Sequence, residues 1–229
     1  MEILAVADRI VRRIYTPSVK RRFAGVEIIL GCGDLPAAYL DYIVSQLDVP
    51  LFYVVGNHQG EHTRHDAEGR PISPAGGFNL HRRTVEYRGL LLAGLEGSMR
   101  YSHSDHQYSE LDMMLSVLAL TPALIANRLK YGRYLDILVT HSPPLGIHDG
   151  EDLAHRGFRS FLWFMRQFRP RYLIHGHKHI YDSREATVTR YGDTIVVNAY
   201  GFQVIDFEQG VVGQPAAQEG EYSHGTPVH

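Results

Sequence analysis

Residues 172–179 read Tyr-Leu-Ile-His-Gly-His-Lys-His, a short apolar run that stops at a glycine set between histidines. A run this short, bounded by glycine, reads as a buried strand with polar residues gathered past its end. The same grammar recurs upstream. Residues 3–7 lead into Asp8, 26–30 into Gly31-Cys32-Gly33-Asp34, 51–55 into Gly56-Asn57-His58, and 135–139 into Thr140-His141. Open α/β sheets place their ligands at the carboxyl ends of such strands.

Helical patterns fill the spaces between. Residues 36–47 carry Leu40, Ile43, Val44 and Leu47 on one face, with Pro36 suited to a first turn. Residues 109–131 form a long helical stretch that opens on Ser109, Glu110 and Asp112, and Pro122 is expected to kink or split it. Residues 157–168 set Phe158, Phe161, Leu162, Met165 and Phe168 at helical spacing, a core stripe. Residues 84–96 and 187–208 read as successive strands joined by tight turns. The order predicts a layered α/β protein with a mixed sheet or a pair of sheets. We expect one domain over 1–212 and a flexible tail over 213–229, which is rich in Gly, Gln and Pro.

Composition narrows the function classes. The 229 residues hold 23 Lys+Arg against 25 Asp+Glu, a net charge of −2, so no basic excess points to nucleic acid. The single Cys32 excludes an internal disulfide and a zinc–cysteine cluster. The N-terminal run is apolar first and basic after, the reverse of a signal peptide. No unbroken apolar run approaches the ~20 residues of a membrane span. These features predict a cytoplasmic protein with no membrane partner. The excess lies in histidine, of which there are 14.

The strand ends supply two carboxylates, one amide and three imidazoles: Asp8, Asp34, Asn57, His141, His177 and His179. His58 is left over. This borderline-hard, thiolate-free donor set suits divalent Mn, Fe, Zn or a similar ion.

In order and spacing the set resembles the calcineurin-like metallophosphoesterases, whose pattern is D-x-H, G-D, G-N-H-[D/E], a lone His, then G-H-x-H. Here it reads Asp8-Arg9-Ile10, Gly33-Asp34, Gly56-Asn57-His58-Gln59, His141 and Gly176-His177-Lys178-His179. The resemblance implies an α/β fold, a four-layer αββα sandwich of two mixed β-sheets flanked by helices. It also implies a two-metal centre bridged by Asp34. Asn57, His141 and His177 would complete one metal position, and Asp8 and His179 would serve the other. The implied activity is hydrolysis of a phosphomonoester or phosphodiester by a metal-bound hydroxide, with His58 assisting the leaving group.

Two positions depart from the pattern. Ile10 stands where the family has its first histidine, which predicts a weaker ion at that position. Gln59 replaces the acidic residue that would orient His58. His148, Asp149 and His155 follow His141 and are candidates to replace the missing ligand or line the cleft. Arg9 and Arg100 are candidates to bind a substrate phosphate. The loops 59–77, 98–107 and 145–157 are where a small phosphoester substrate would be selected. The two losses also leave open a catalytically weak or inactive binding protein on the same fold. Oligomeric state is not legible.

Overall fold

The computed structural model describes residues 1–58, 73–102, 105–182 and 184–213. Two six-stranded sheets face each other. The first runs Val211–Gly213, Gly201–Asp206, Glu2–Ala7, Val26–Gly31, Leu51–Tyr53, Phe78–Asn79. The second runs Val188–Tyr191, Thr194–Asn198, Tyr172–His175, Ile137–Thr140, Leu90–Leu95, Thr84–Tyr87. Both are mixed. Glu2–Ala7, Val26–Gly31 and Leu51–Tyr53 are parallel, while Gly201–Asp206 lies antiparallel to Glu2–Ala7. In the second sheet the four central strands are parallel and the two edges antiparallel.

The period of two along each strand divides the core. Ile3, Ala5 and Ala7 point between the sheets, where they meet Ile28, Leu30, Leu92, Ile137, Val139, Tyr172 and Ile174. Leu4 and Val6 point the other way, into a layer with Tyr39, Leu40 and Ile43 of the helix Ala37–Leu47. On the far side Leu91, Ala93, Leu138 and Leu173 meet the helices Glu110–Tyr131 and Arg159–Phe168. The strands are apolar on both faces because each face is covered, as parallel sheets require. The layers are therefore α, β, β, α, as the resemblance implied.

Three details go beyond the sequence reading. The helix Glu110–Tyr131 runs unbroken through Pro122, so it is not split. A capping box of Ser109 and Asp112 opens it, and Gly132 closes it in the left-handed region. By length and composition this helix could cross a bilayer, although polar and charged residues interrupt its apolar run; here Met113, Val117, Leu120 and Leu124 pack it onto the sheet. The stretch 187–208 holds the successive strands expected there, divided between the two sheets. Val188–Tyr191 and Thr194–Asn198 form a hairpin of the second sheet, and Gly201–Asp206 crosses to the first. The proposed tail lies beyond residue 213, outside the described residues.

Candidate metal centre

The parallel strands of both sheets end at one edge, and the motif residues follow them there. Asp8 comes after Glu2–Ala7, Asp34 after Val26–Gly31 and Asn57 after Leu51–Tyr53. His141 comes after Ile137–Thr140, and His177 after Tyr172–His175. The first three belong to one sheet and the last two to the other, so the centre is built across the sandwich. Asp8, Asp34 and His177 all hold φ between 53° and 66°. Three non-glycine residues in the left-handed region at one spot are strain of the kind that functional sites retain.

Two glycines make room for the carboxylates. A Cβ on Gly56 would collide with the Asp34 carboxylate, and one on Gly176 would lie 2.5 Å from Asp8 Oδ2.

His141 Nδ1 is 2.8 Å from the carbonyl of Cys32. That bond makes Nδ1 the donor and turns Nε2 inward, 2.9 Å from Asn57 Oδ1 and 3.2 Å from Asp34 Oδ2. Asn57 is set the same way. Its amide nitrogen donates to the Tyr101 hydroxyl at 3.1 Å, which leaves its oxygen directed at His141. His177 Nε2 donates to the carbonyl of Ala154 at 2.6 Å, leaving Nδ1 as its ligand atom. Asp34, His141 and His177, all buried, offer ligand atoms within 4.8 Å of one another. A ring nitrogen, an amide oxygen and a carboxylate oxygen converging on one buried spot is the donor chemistry of a divalent-ion site. These residues fit the metal that the family pattern implies.

Electrostatics mark the same spot. Burial opposes charge on His141, but the Asp34 carboxylate raises its pKa to about 9. Burial likewise opposes ionisation of Asp34, yet His141 and the His58 amide hold its carboxyl well below the usual range. Burial pushes Asp8 up to about 7. Burial and the charge of His141 push His177 down to about 3. A proton on His141 thus occupies the place that a cation would take.

The second metal position implied by the resemblance is less complete. Asp8 spends its carboxylate on the backbone N–H of His177, at 2.9 and 3.1 Å. His179 lies over Tyr200, ring centroids 4.8 Å apart, and its Nδ1 pairs with the Tyr181 hydroxyl. Ile10 is exposed in the turn after Asp8. The His58 ring is exposed, and its amide donates to Asp34 Oδ1 at 2.9 Å.

The remaining candidates separate. His155 lies beside the centre, its ring 5.3 Å from that of His177 and its Nδ1 held by Asp152 at 2.9 Å. His148 points away from it. Its two ring nitrogens bond His175 and Thr189, and burial pushes its pKa down to about 4. Asp149 closes the loop by accepting from the Gly157 amide. Arg100 is turned to Asp112 and the carbonyl of Gln107. Arg9 is exposed beside Asp8. Gln59 lies outside the described residues. Cys32 is a buried strand-end residue that contributes its carbonyl, and burial raises its thiol pKa far above the usual range.

Sequence reasoning passed over Tyr101, Asn198 and Tyr200. Asn198 donates to the Lys178 carbonyl and accepts from the Tyr200 amide, fixing the Gly-His-Lys-His turn to the crossing between sheets. Tyr101 had one available signal, its place in a polar loop expected to line the cleft.

The sequence model of the calcineurin-like phosphoesterases matches residues 8–181. The chain belongs to that family. This calcineurin-like phosphoesterase is similar to the structure of TT1561 of Thermus thermophilus, at 15% identity and a TM-score of 0.62, over 93% of this chain and 96% of that one. It is also similar to GAP50, described as the anchor in the inner membrane complex of Plasmodium, at 14% identity and a TM-score of 0.50, over 89% of this chain and 80% of that one. At such identities the likeness is one of fold. No curated protein matches this calcineurin-like phosphoesterase.

Proposed function

We propose that the chain is a metal-dependent hydrolase of small phosphoesters, monoester or diester. Asp34, Asn57, His141 and His177 would hold the tighter ion, and Asp8 and His179 would serve a weaker one. The observation that carries this reading is the inward-facing Nε2 of His141, fixed by the Cys32 carbonyl and opposed by Asn57 and Asp34 oxygens. Divalent ions bound there would lower the pKa of a water and neutralise charge on a phosphoryl group.

The chain's own residues do the rest. The backbone carbonyls of Cys32 and Ala154 fix the tautomers of His141 and His177. Tyr101 fixes the Asn57 amide. Asp34 accepts from the backbone amide of His58, which fixes that residue's backbone beside the centre, and the exposed His58 ring would donate a proton to the departing oxygen. The ring of His155, oriented by Asp152, forms the wall beside His177.

Metal analysis after manganese loading, together with turnover of a generic aryl phosphomonoester and phosphodiester, tests the reading. Asn57→Ala and His177→Ala are expected to lose both tight metal and turnover. Turnover that survives in both variants overturns the site. No bound ion and no turnover in the parent chain would select the binding-protein alternative, for which Ile10 is the supporting observation.

A further inference from the structure

The whole-chain charge of −2 hides a local segregation. Between Asp8 and Glu27 the chain carries Arg9, Arg12, Arg13, Lys20, Arg21 and Arg22 and no acidic residue. This segment leaves the end of the strand Glu2–Ala7, passes through the short helix Val19–Arg22 and returns to the strand Val26–Gly31. Ile14, Val19 and Phe23 are buried in the layer outside the first sheet. With that side of the segment inward, all six cations are exposed.

Elsewhere in the molecule exposed cations find carboxylates. Arg88, Arg100, Arg133, Arg169 and Arg184 each do. Among the described residues, none of the six side chains between Asp8 and Glu27 makes an ion pair or a hydrogen bond. Glu27 faces the N-terminus and Arg88 instead. The neighbouring helix Ala37–Leu47, tied to the segment where the Val11 amide donates to the Tyr39 hydroxyl, offers one acidic residue, Asp41, whose carboxylate accepts from the Ala75 amide. Like charges gathered without counter-charge repel one another. A polyanion laid across them removes that repulsion and releases its own counterions.

The aromatic residue among the cations selects the kind of polyanion. Tyr15 stands between Arg13 and Lys20 and is 48% exposed. Its ring is braced edge-on by Tyr39 and Tyr42, with centroids 5.6 and 4.6 Å away and planes at 66° and 72°. A braced, half-exposed ring interleaved with cations is a stacking platform for a base beside donors for phosphates. Five of the six cations are arginines, whose planar forks take phosphate oxygens in pairs. A single strand can splay a base onto such a ring, whereas a duplex keeps its bases stacked inside. An anionic bilayer is the poorer match. A bilayer needs an apolar face to receive, and in this segment Ile14, Val19 and Phe23 are already buried in protein.

We propose that the segment from Arg9 to Arg22 binds a single-stranded polynucleotide, with phosphates on its cations and a base on Tyr15. The contact uses none of the candidate metal ligands, so the proposal stands apart from the proposed hydrolysis.

Fluorescence anisotropy tests it, with the full chain titrated in chelator against labelled oligodeoxyuridylate and oligouridylate, which differ only in the 2′-hydroxyl. Both are expected to bind, and the tighter of the two identifies the strand as DNA or RNA. Affinity is expected to fall with salt at a log–log slope of up to about −4, at roughly −0.7 per phosphate contact. Removing two cations together, by Arg12→Ala with Arg13→Ala, is expected to make that slope shallower by about 1.4 with unchanged circular dichroism. Tyr15→Leu keeps an apolar side chain against Tyr39 and Tyr42 and is expected to weaken binding roughly 5–100-fold, while Tyr15→Phe retains it. No binding of either strand at low salt overturns the proposal, as does an unchanged slope in the double variant. Inorganic polyphosphate bound as tightly as the oligonucleotides, with Tyr15→Leu equal to the parent, would make this a site for any polyanion and overturn the assignment to nucleic acid. Vesicles of mixed neutral and anionic phospholipid bound in preference to both strands would assign the segment to a membrane instead.

Discussion

His141 Nε2 lies 3.2 Å from Asp34 Oδ2, a buried contact that joins one sheet to the other at the metal centre. The carboxylate raises the imidazole, and the imidazole lowers the carboxylate. Without a metal, this pair makes the fold's stability a function of pH.

The sign follows from proton counts. Below about 6.5 the unfolded chain protonates His148, His175 and His177, which burial holds at about 4, 3 and 3 in the folded protein. The unfolded state then binds more protons, and stability rises with pH. Above about 7 the folded protein still holds a proton on His141 until about 9, and the unfolded chain does not. Stability then falls with pH. Thermal unfolding of metal-free protein is expected to peak near neutral pH. Manganese displaces the His141 proton, so the rise in melting temperature on adding it is expected to be larger at pH 8 than at pH 6. An equal rise at both would reject the account.

Tyr101 holds the amide nitrogen of Asn57 and so points the oxygen inward. In Tyr101→Phe that partner is gone and the amide is free to turn. Partners of this kind are worth roughly 10–100-fold in metal affinity. Calorimetric titration with manganese is expected to show a loss in that range, with the fold intact.

Ile10 would leave the proposed second position, with Asp8 and His179, short of a ligand, and the side chain is already exposed. Ile10→His restores the D-x-H pattern without disturbing a packed residue. Metal analysis is expected to show a second ion retained through gel filtration in the variant and lost from the parent. Identical stoichiometry in the two would mean that position 10 does not face the centre.

A Cβ at position 56 would strike the Asp34 carboxylate and lie 2.7 Å from the Asp34 backbone nitrogen. The backbone cannot swing aside as a flexible side chain would. Gly56→Ala is expected to cost about 1–3 kcal/mol by denaturant titration. It should also weaken metal binding, because the shift falls on the Asp34 carboxylate.

Much of this was legible from local pattern. The strand ends, Ser109 as the start of a helix, and the order of Asp34, Asn57, His141 and His177 are properties of neighbouring residues, and the structure sets each of them where that pattern put it. Of the kink or split expected at Pro122 the split does not occur, because the packing of Val117, Leu120 and Leu124 on the sheet holds the helix through it.

The amino-acid sequence by itself determined at which strand ends the candidate ligands sit, because alternation and glycine punctuation act within a few residues. The tertiary structure decided how those residues face one another. His141 and its orienting Cys32 carbonyl are 109 positions apart, and His177 and Asp8 are 169 apart. It also decided that His155 and not His148 stands by the ligands, though both occupy one loop. Bonds of such span exist only once two sheets have packed face to face, and only packing fixes which atoms then meet.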